Sequence, residues 1–374
     1  MGALFFKLNK KGSEKFIVFK TWLQKSKNEI VNGLLLAVSL FISIASVEWF
    51  VRHQFADLKL YTEQNGEKGD FSMYSTRYFQ GWLCIYPPNF TAVHQKREFT
   101  RYIKSNKQGL NDHEFKLEKD SAIRIMAFGD SFTEGIGSIG DSSYPKILQS
   151  IMPNTEVLGC GISGSDPVFC YKLLEQKLAA YKPDIATFTI NISDQNEIFV
   201  RRGFDRFQAD GTLKFKDTPW WDYWFKNFFI MRYVAIKIMH YDFFFRPFAD
   251  VERDNYNSRR VIETAMDSIQ HLCTGLHIRP VFIFHPLKVE IDRGVMDCAD
   301  IMPYAQKKGC ETIDMFAYFK SRGLNAGNAG DYYWQIDLHH NNKGYALFAE
   351  AIRDYLERTK SDSKNEHPYI TSVP

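Results

Sequence analysis

The sequence predicts an α/β fold, a parallel sheet covered by helices on both faces, preceded by one N-terminal transmembrane helix. Two observations carry this. From residue 120 onward, short apolar runs alternate with stretches of helical periodicity, the pattern of strands buried on both faces and joined by crossover helices. Before them, Val31 to Val51 reads VNGLLLAVSLFISIASVEWFV, with Glu48 as its one charge.

The apolar stretch comes first along the chain. At 1.5 Å per residue it spans about 30 Å, the thickness of a hydrocarbon layer. Lys7, Lys10, Lys11, Lys15, Lys20, Lys25 and Lys27 precede it, against Glu14 and Glu29. The positive-inside rule then keeps residues 1–28 in the cytoplasm, makes 29–52 the anchor and exports the rest. Trp49 and Arg52 suit the far interface. Ser43-Ile44-Ala45 offers a signal-peptidase-like site, but a charged region of this length is unusual for a signal peptide. A buried soluble helix rarely stays apolar on every face.

Bulk properties narrow the class. The 374 residues are 45% hydrophobic and 24% charged, with net charge +3, so the chain is globular and shows no nucleic-acid signature. Cys84, Cys160, Cys170, Cys273, Cys298 and Cys310 have no CxxC spacing, which argues against a zinc ribbon. Cys298 and Cys310 are close enough in sequence to pair in an oxidising compartment; otherwise all six are buried thiols.

Residues 53–119 read as an extension that packs on the main domain. Trp82, Tyr86-Pro87-Pro88 and a basic run from Lys96 to Lys107 mark it; the basic run reads as solvated surface, or as a contact for lipid headgroups. The main domain, 120–359, has strands expected at Ile123–Phe128, Glu156–Leu158, Ile185–Ile190, Val281–Phe284 and Thr312–Ile313. Helices are expected at Tyr144–Ile151, Pro167–Tyr181, Val251–Leu276, Asp300–Lys308 and Lys343–Arg358. An aromatic-rich insertion, 201–250, interrupts the rhythm with Trp220-Trp221, Tyr223-Trp224, Phe228-Phe229 and Phe243-Phe244-Phe245. It reads as a helical insertion packed on the domain, or as a lid, an acyl groove or an interfacial helix. Residues 360–374 read as a disordered tail.

In such sheets the site forms at the carboxyl ends of the strands. Ser131 (in Gly129-Asp130-Ser131), Gly161 and Asp194 each fall just after an expected strand. Much later, Asp337-Leu-His339-His340-Asn341-Asn-Lys-Gly344 supplies an acid and a histidine ahead of a helix. A serine, a histidine and an acid are the parts of an acyl-transfer site. A metal site from Asp337, His339 and His340 lacks an evident further ligand.

The order of these blocks over about 120–358 resembles the SGNH (GDSL-type) hydrolase family. The resemblance implies a flavodoxin-like three-layer α/β/α sandwich without a cofactor. It makes Ser131 the nucleophile, His339 the general base and Asp337 its orienting acid. It also implies an oxyanion hole from Ser131, Gly161 and the third block. There Ser193 stands before Asp194 where the family has asparagine, so Ser193, Asn191 or Asn196 would be the donor. His340 is the alternative base, and the Asn-x-x-Gly register favours His339. Asp130, Asp194, His285 and His340 are further cleft candidates.

The resemblance implies a membrane-anchored esterase or O-acyltransferase working on ester-linked acyl groups of envelope polysaccharide. Its partners would be the glycan, the bilayer and a membrane protein that hands over acyl groups. A lipid or acyl-ester hydrolase using the aromatic insertion is a second reading. A non-catalytic scaffold of the same fold is a third.

Overall fold

The computed structural model describes residues 2–66, 78–80, 83–119, 121, 123–298 and 300–365. Trp82 and residues 366–374 of the expected tail lie outside them. The chain divides into two compact units, 1–59 with 219–242, and 60–218 with 243–374.

The first unit begins with helix α1, Gly2–Gln54. Its portion Gln24–Gln54 is long and apolar enough to cross a membrane or to act as a signal sequence, and its most apolar window is wholly unburied. The centre of the expected insertion folds with this helix. Glu48, the lone acid of the apolar stretch, accepts the N–H groups of Phe229 and Ile230 at 2.9 and 3.0 Å. A carboxylate there meets the unpaired first-turn donors and positive end of a helix. Arg52 pairs with Glu48 and lies 4.6 Å from the Phe229 ring centre. The one ionisable group in the apolar stretch 31–51 is thereby accounted for.

In the second unit the extension forms helix α2 (Tyr61–Asn65) and strands β1 (Tyr78–Gln80), β2 (Leu83–Ile85), β3 (Thr91–Gln95) and β4 (Thr100–Lys104). The strands pair as two antiparallel ladders, β1 with β2 and β3 with β4. They leave little periodic signal, because each is only three to five residues long. The basic run is not uniformly solvated: Lys96 and Arg101 are buried against carboxylates of the main domain.

The main domain runs β5 (Ile123–Gly129), α3 (Ser131–Glu134), α4 (Tyr144–Ile151), β6 (Thr155–Gly161), α5 (Pro167–Leu173), β7 (Ile185–Ile190) and α6 (Ser193–Arg201). In the first unit follow α7 (Asp222–Asn227) and α8 (Phe229–Tyr233). The main domain resumes with α9 (Val251–Gly275), β8 (Arg279–Phe284), α10 (Lys288–Arg293), α11 (Ile301–Lys307), β9 (Glu311–Asp314), α12 (Met315–Ser321) and α13 (Asn342–Asn365). The last helix carries the chain past residue 360, where a disordered tail was expected. A π turn, Leu174–Leu178, and a 3-10 turn, Ala179–Tyr181, extend α5 over the rest of the expected helix.

The five-stranded sheet is parallel throughout, in the order β6-β5-β7-β8-β9. Alternate side chains of β5 feed two cores. Met126 and Phe128 join Leu173, Ile262, Met266 and Ile269 on one face; Ile125 and Ala127 join Tyr144, Leu148, Phe348 and Ile352 on the other. Strand order reverses at β5, between β6 and β7, and the carboxyl ends there flank the crevice where doubly wound sheets hold their sites. Cys298 and Cys310 are free thiols, not a disulfide. Both are buried in the first core, and burial pushes both thiols up.

Candidate active site

Strand β5 ends at Gly129, and the chain turns at once into α3. Asp130 caps this helix, accepting the Phe132 N–H at 3.0 Å. Ser131 occupies the first helical position, so its N–H has no intrahelical acceptor. Its Oγ lies 2.7 Å from His339 Nε2, and His339 Nδ1 lies 2.7 Å from Asp337 Oδ1. With Asp337 ionised, Nδ1 carries the proton and Nε2 is the acceptor facing the serine hydroxyl. Burial alone raises the Asp337 carboxyl, but its contacts with His339 and Lys96 outweigh this and hold it well below the usual range. Leu338, between acid and histidine, sits in the left-handed region at φ +69°. That turn lets residues two apart converge on one point.

The third block is organised around Asn191. Its Nδ2 donates to Asp130 Oδ2 at 2.8 Å. Its Oδ1 accepts from Ser193 N at 2.9 Å and Ser193 Oγ at 2.6 Å. Ser193 thus fixes the orientation of the Asn191 amide instead of pointing its own hydroxyl at a substrate. One hydrogen of the Asn191 amide remains beyond the bond to Asp130. Asp194 accepts the Asn191 N–H at 2.8 Å. Burial raises Asp130, and burial together with the Asp130 charge raises Asp194. Asn196 lies apart from this group, accepting from Arg246 at 2.8 Å.

Gly161 has a packing reason for being glycine. A Cβ there would come 2.2 Å from the backbone N of Glu134 and 2.5 Å from the carbonyl carbon of Thr133. Neither atom can move without shifting α3. Gly161→Ala is therefore expected to lower stability by about 1–3 kcal/mol and to displace Ser131, reducing its reaction with an ester probe. Thermal unfolding and probe labelling measured together check both effects. Gly344 is likewise tight: a Cβ would meet His340 Nδ1 and the Tyr332 carbonyl oxygen, each at 2.2 Å.

His285 and His340 line no open cleft, since both are fully buried. Their Nε2 atoms are 2.8 Å apart, and His340 Nδ1 lies 3.1 Å from the Tyr332 carbonyl. That carbonyl assigns the His340 proton to Nδ1, so His285 Nε2–H donates to His340. His285 Nδ1 has no partner among the described residues. The Phe132 ring separates this pair from His339, with centroids 4.4 Å from His285 and 4.7 Å from His339.

Burial pushes His340 down to about 3 and His285 well below its ordinary value. Both stay neutral when folded, while the unfolded chain takes up protons below about pH 6.5. Their contribution to stability is therefore present above that pH and lost as pH falls toward 3. Acidification from pH 7 to 5 is expected to cost about 2 kcal/mol through His340, and His285 adds to the loss in the same direction. His340→Gln should flatten this dependence whatever its effect at pH 7, as denaturant midpoints across the interval will show.

Several residues that organise the site carry no motif. Lys96 Nζ and Tyr61 Oη both donate to Asp337 Oδ2, at 2.6 Å each. Glu98 accepts the N–H groups of Gln335, Ile336 and Asp337 at 2.9, 2.9 and 2.8 Å. Glu134, one turn after Ser131, is bound by Arg101, by Tyr86 Oη at 2.8 Å and by the Ser163 N–H at 2.6 Å. The extension thus holds both ends of the site, the acid through Lys96 and the serine's helix through Glu134. Spacing could not reveal these contacts, because each joins segments at least 29 residues apart.

No protein-family model matches the chain, and no curated protein does. Solved structures resemble it loosely. A two-domain esterase active on acetylated mannans is 14% identical at a TM-score of 0.40, over 67% of this chain and 53% of its own. A catalytic mutant of an acetylxylan esterase from Geobacillus stearothermophilus is 15% identical at 0.38, over 62% and 93%. A G-D-S-L family protein from Desulfitobacterium hafniense DCB-2 is 15% identical at 0.38, over 61% and 97%.

Proposed function

We propose that this chain is a membrane-anchored, exported serine esterase or O-acyltransferase that acts through an acyl-serine on Ser131. The observation that carries the proposal is the continuous relay Ser131 Oγ, His339, Asp337, with both contacts at 2.7 Å. In this reading Ser131 Oγ attacks the ester carbonyl as His339 Nε2 takes its proton. Asp337 holds the imidazole in the required tautomer and stabilises the imidazolium. The oxyanion meets the Ser131 N–H and the second amide hydrogen of Asn191, which Asp130 and Ser193 keep in orientation. Gly161 contributes by letting α3 sit close to β6. The tetrahedral intermediate collapses, and His339 returns the proton to the departing alcohol. Water, or the hydroxyl of an acceptor, then takes the acyl group by the same steps in reverse.

The substrate we propose is an ester-linked acetyl group on a cell-envelope polysaccharide. The motif resemblance supports it, as does an N-terminal helix that suits an anchor with a cytoplasmic N-terminus. A cavity of about 680 Å³ in the second unit reaches Glu134 and Gly135 of the serine's helix, without Ser131 or His339 in its wall, and is lined by polar side chains such as Asn89, Tyr102, Asn111, His113 and Lys146. Such a lining suits a sugar better than a hydrocarbon chain. The test is covalent labelling of the full chain by a fluorophosphonate, with the adduct mapped to Ser131, and turnover of acetyl against long-chain esters. Faster turnover of long-chain esters would favour a lipid substrate. Failure of both labelling and turnover would leave a scaffold.

A further inference from the structure

We propose that Lys96 is a positioning residue of the catalytic relay, a buried cation that sets the protonation and aim of His339 through Asp337. The inference rests on the relay proposed above. Lys96 comes from just after β3 in the extension, 241 residues before its partner. Its side chain is 2% exposed and that of Asp337 is wholly buried. Lys96 also donates to Tyr61 Oη at 2.8 Å, and its Nζ lies 4.5 Å from the Tyr61 ring centre. Two donors therefore occupy Asp337 Oδ2, which leaves Oδ1 for His339 Nδ1. A cation buried this fully is costly unless it is paired and hydrogen-bonded, and the acid of the relay pairs with it at 2.6 Å.

The electrostatic consequence has a definite sign. An unneutralised Asp337 would strongly favour the His339 imidazolium. Lys96, paired with Asp337 at 2.6 Å, offsets part of that charge and so weakens the pull toward the imidazolium. The other groups around His339 are Ser131 and Asp130 at the end of β5, His285 after β8 and its neighbour His340. The two buried histidines are neutral. Asp130, held by Asn191 and the Phe132 N–H, is unchanged by substitution at residue 96. Glu98 acts on the backbone of the same loop and leaves the Asp337 carboxylate to Lys96 and Tyr61.

The test is the titration of His339 in the full chain in detergent micelles, followed by NMR of histidine labelled at Cε1. The signal is identified by its loss in His339→Asn. Lys96→Met is expected to raise the His339 midpoint by about one pH unit, and Lys96→Arg to restore it. Tyr61→Phe, which leaves the ion pair intact, should shift it less in the same direction and serves if the methionine variant does not fold. The acid limb of kcat/KM for an acetyl ester should move with the midpoint. Midpoints unchanged in both Lys96→Met and Tyr61→Phe would overturn the proposal, even if rates fell. Absence of Ser131-dependent turnover in wild type would instead defeat the esterase reading, while the NMR shift still decides the role of Lys96.

Discussion

Ser131→Ala is expected to lower kcat/KM for a small chromogenic acetyl ester by about a thousandfold or more, with little change in stability. The substitution removes the hydroxyl proposed to bond to the acyl carbon. His339, Asp337 and the oxyanion donors remain, so any residual rate reports their action on water alone. Alanine is a good helix former, and Ser131 Oγ makes its hydrogen bond to His339, so the fold loses little. His339→Ala should cost a similar factor. The double variant should be hardly worse than either, because nucleophile and base act as one unit. Equal turnover in wild type and Ser131→Ala would remove Ser131 from the mechanism.

Glu134→Ala is expected to be the most destabilising single change near the site, by about 3–5 kcal/mol. Its carboxylate is wholly buried and pairs with Arg101, whose side chain is 3% exposed. Nε and Nη1 of Arg101 already lack partners among the described residues, so removing Glu134 leaves a buried guanidinium without its counter-charge. Tyr86 Oη and the Ser163 N–H lose their acceptor at the same time. Breaking one side of a buried pair costs far more than the pair contributes when intact. Replacing both partners, Glu134→Leu with Arg101→Met, should therefore recover much of the loss. Denaturant midpoints of the single and double variants check this. Activity should fall with Glu134→Ala as well, because α3 carries Ser131.

The sheet was legible because its signal is local. Ile125 to Phe128 and Val281 to Phe284 are apolar on successive residues, as strands covered on both sides must be. The helix Val251–Gly275 repeats its buried positions Ile262, Ala265, Met266, Ile269 and Cys273 at helical spacing. The extension and α6 were less legible. Strands of three to five residues carry too few alternations to stand out, and α6 is a short, largely polar helix. Within the expected insertion, residues 219–242 fold with the N-terminal helix and the flanking residues with the main domain.

The α/β frame, and the placing of a serine after one strand and of an Asp-x-His pair ahead of the last helix, are written in the local sequence. A strand running into Gly-Asp-Ser, and an Asp-x-His ahead of a long helix, are short patterns in which spacing already implies geometry. Packing of distant segments adds that Ser193 steadies the Asn191 amide and that Lys96, Glu98 and Glu134 hold the Asp337 loop and the Ser131 helix in place. The physical reason is that desolvation and charge pairing depend on neighbours far apart in the chain. A lysine in a basic run and a lysine buried on an aspartate of the main domain look alike in sequence, and burial alone separates them.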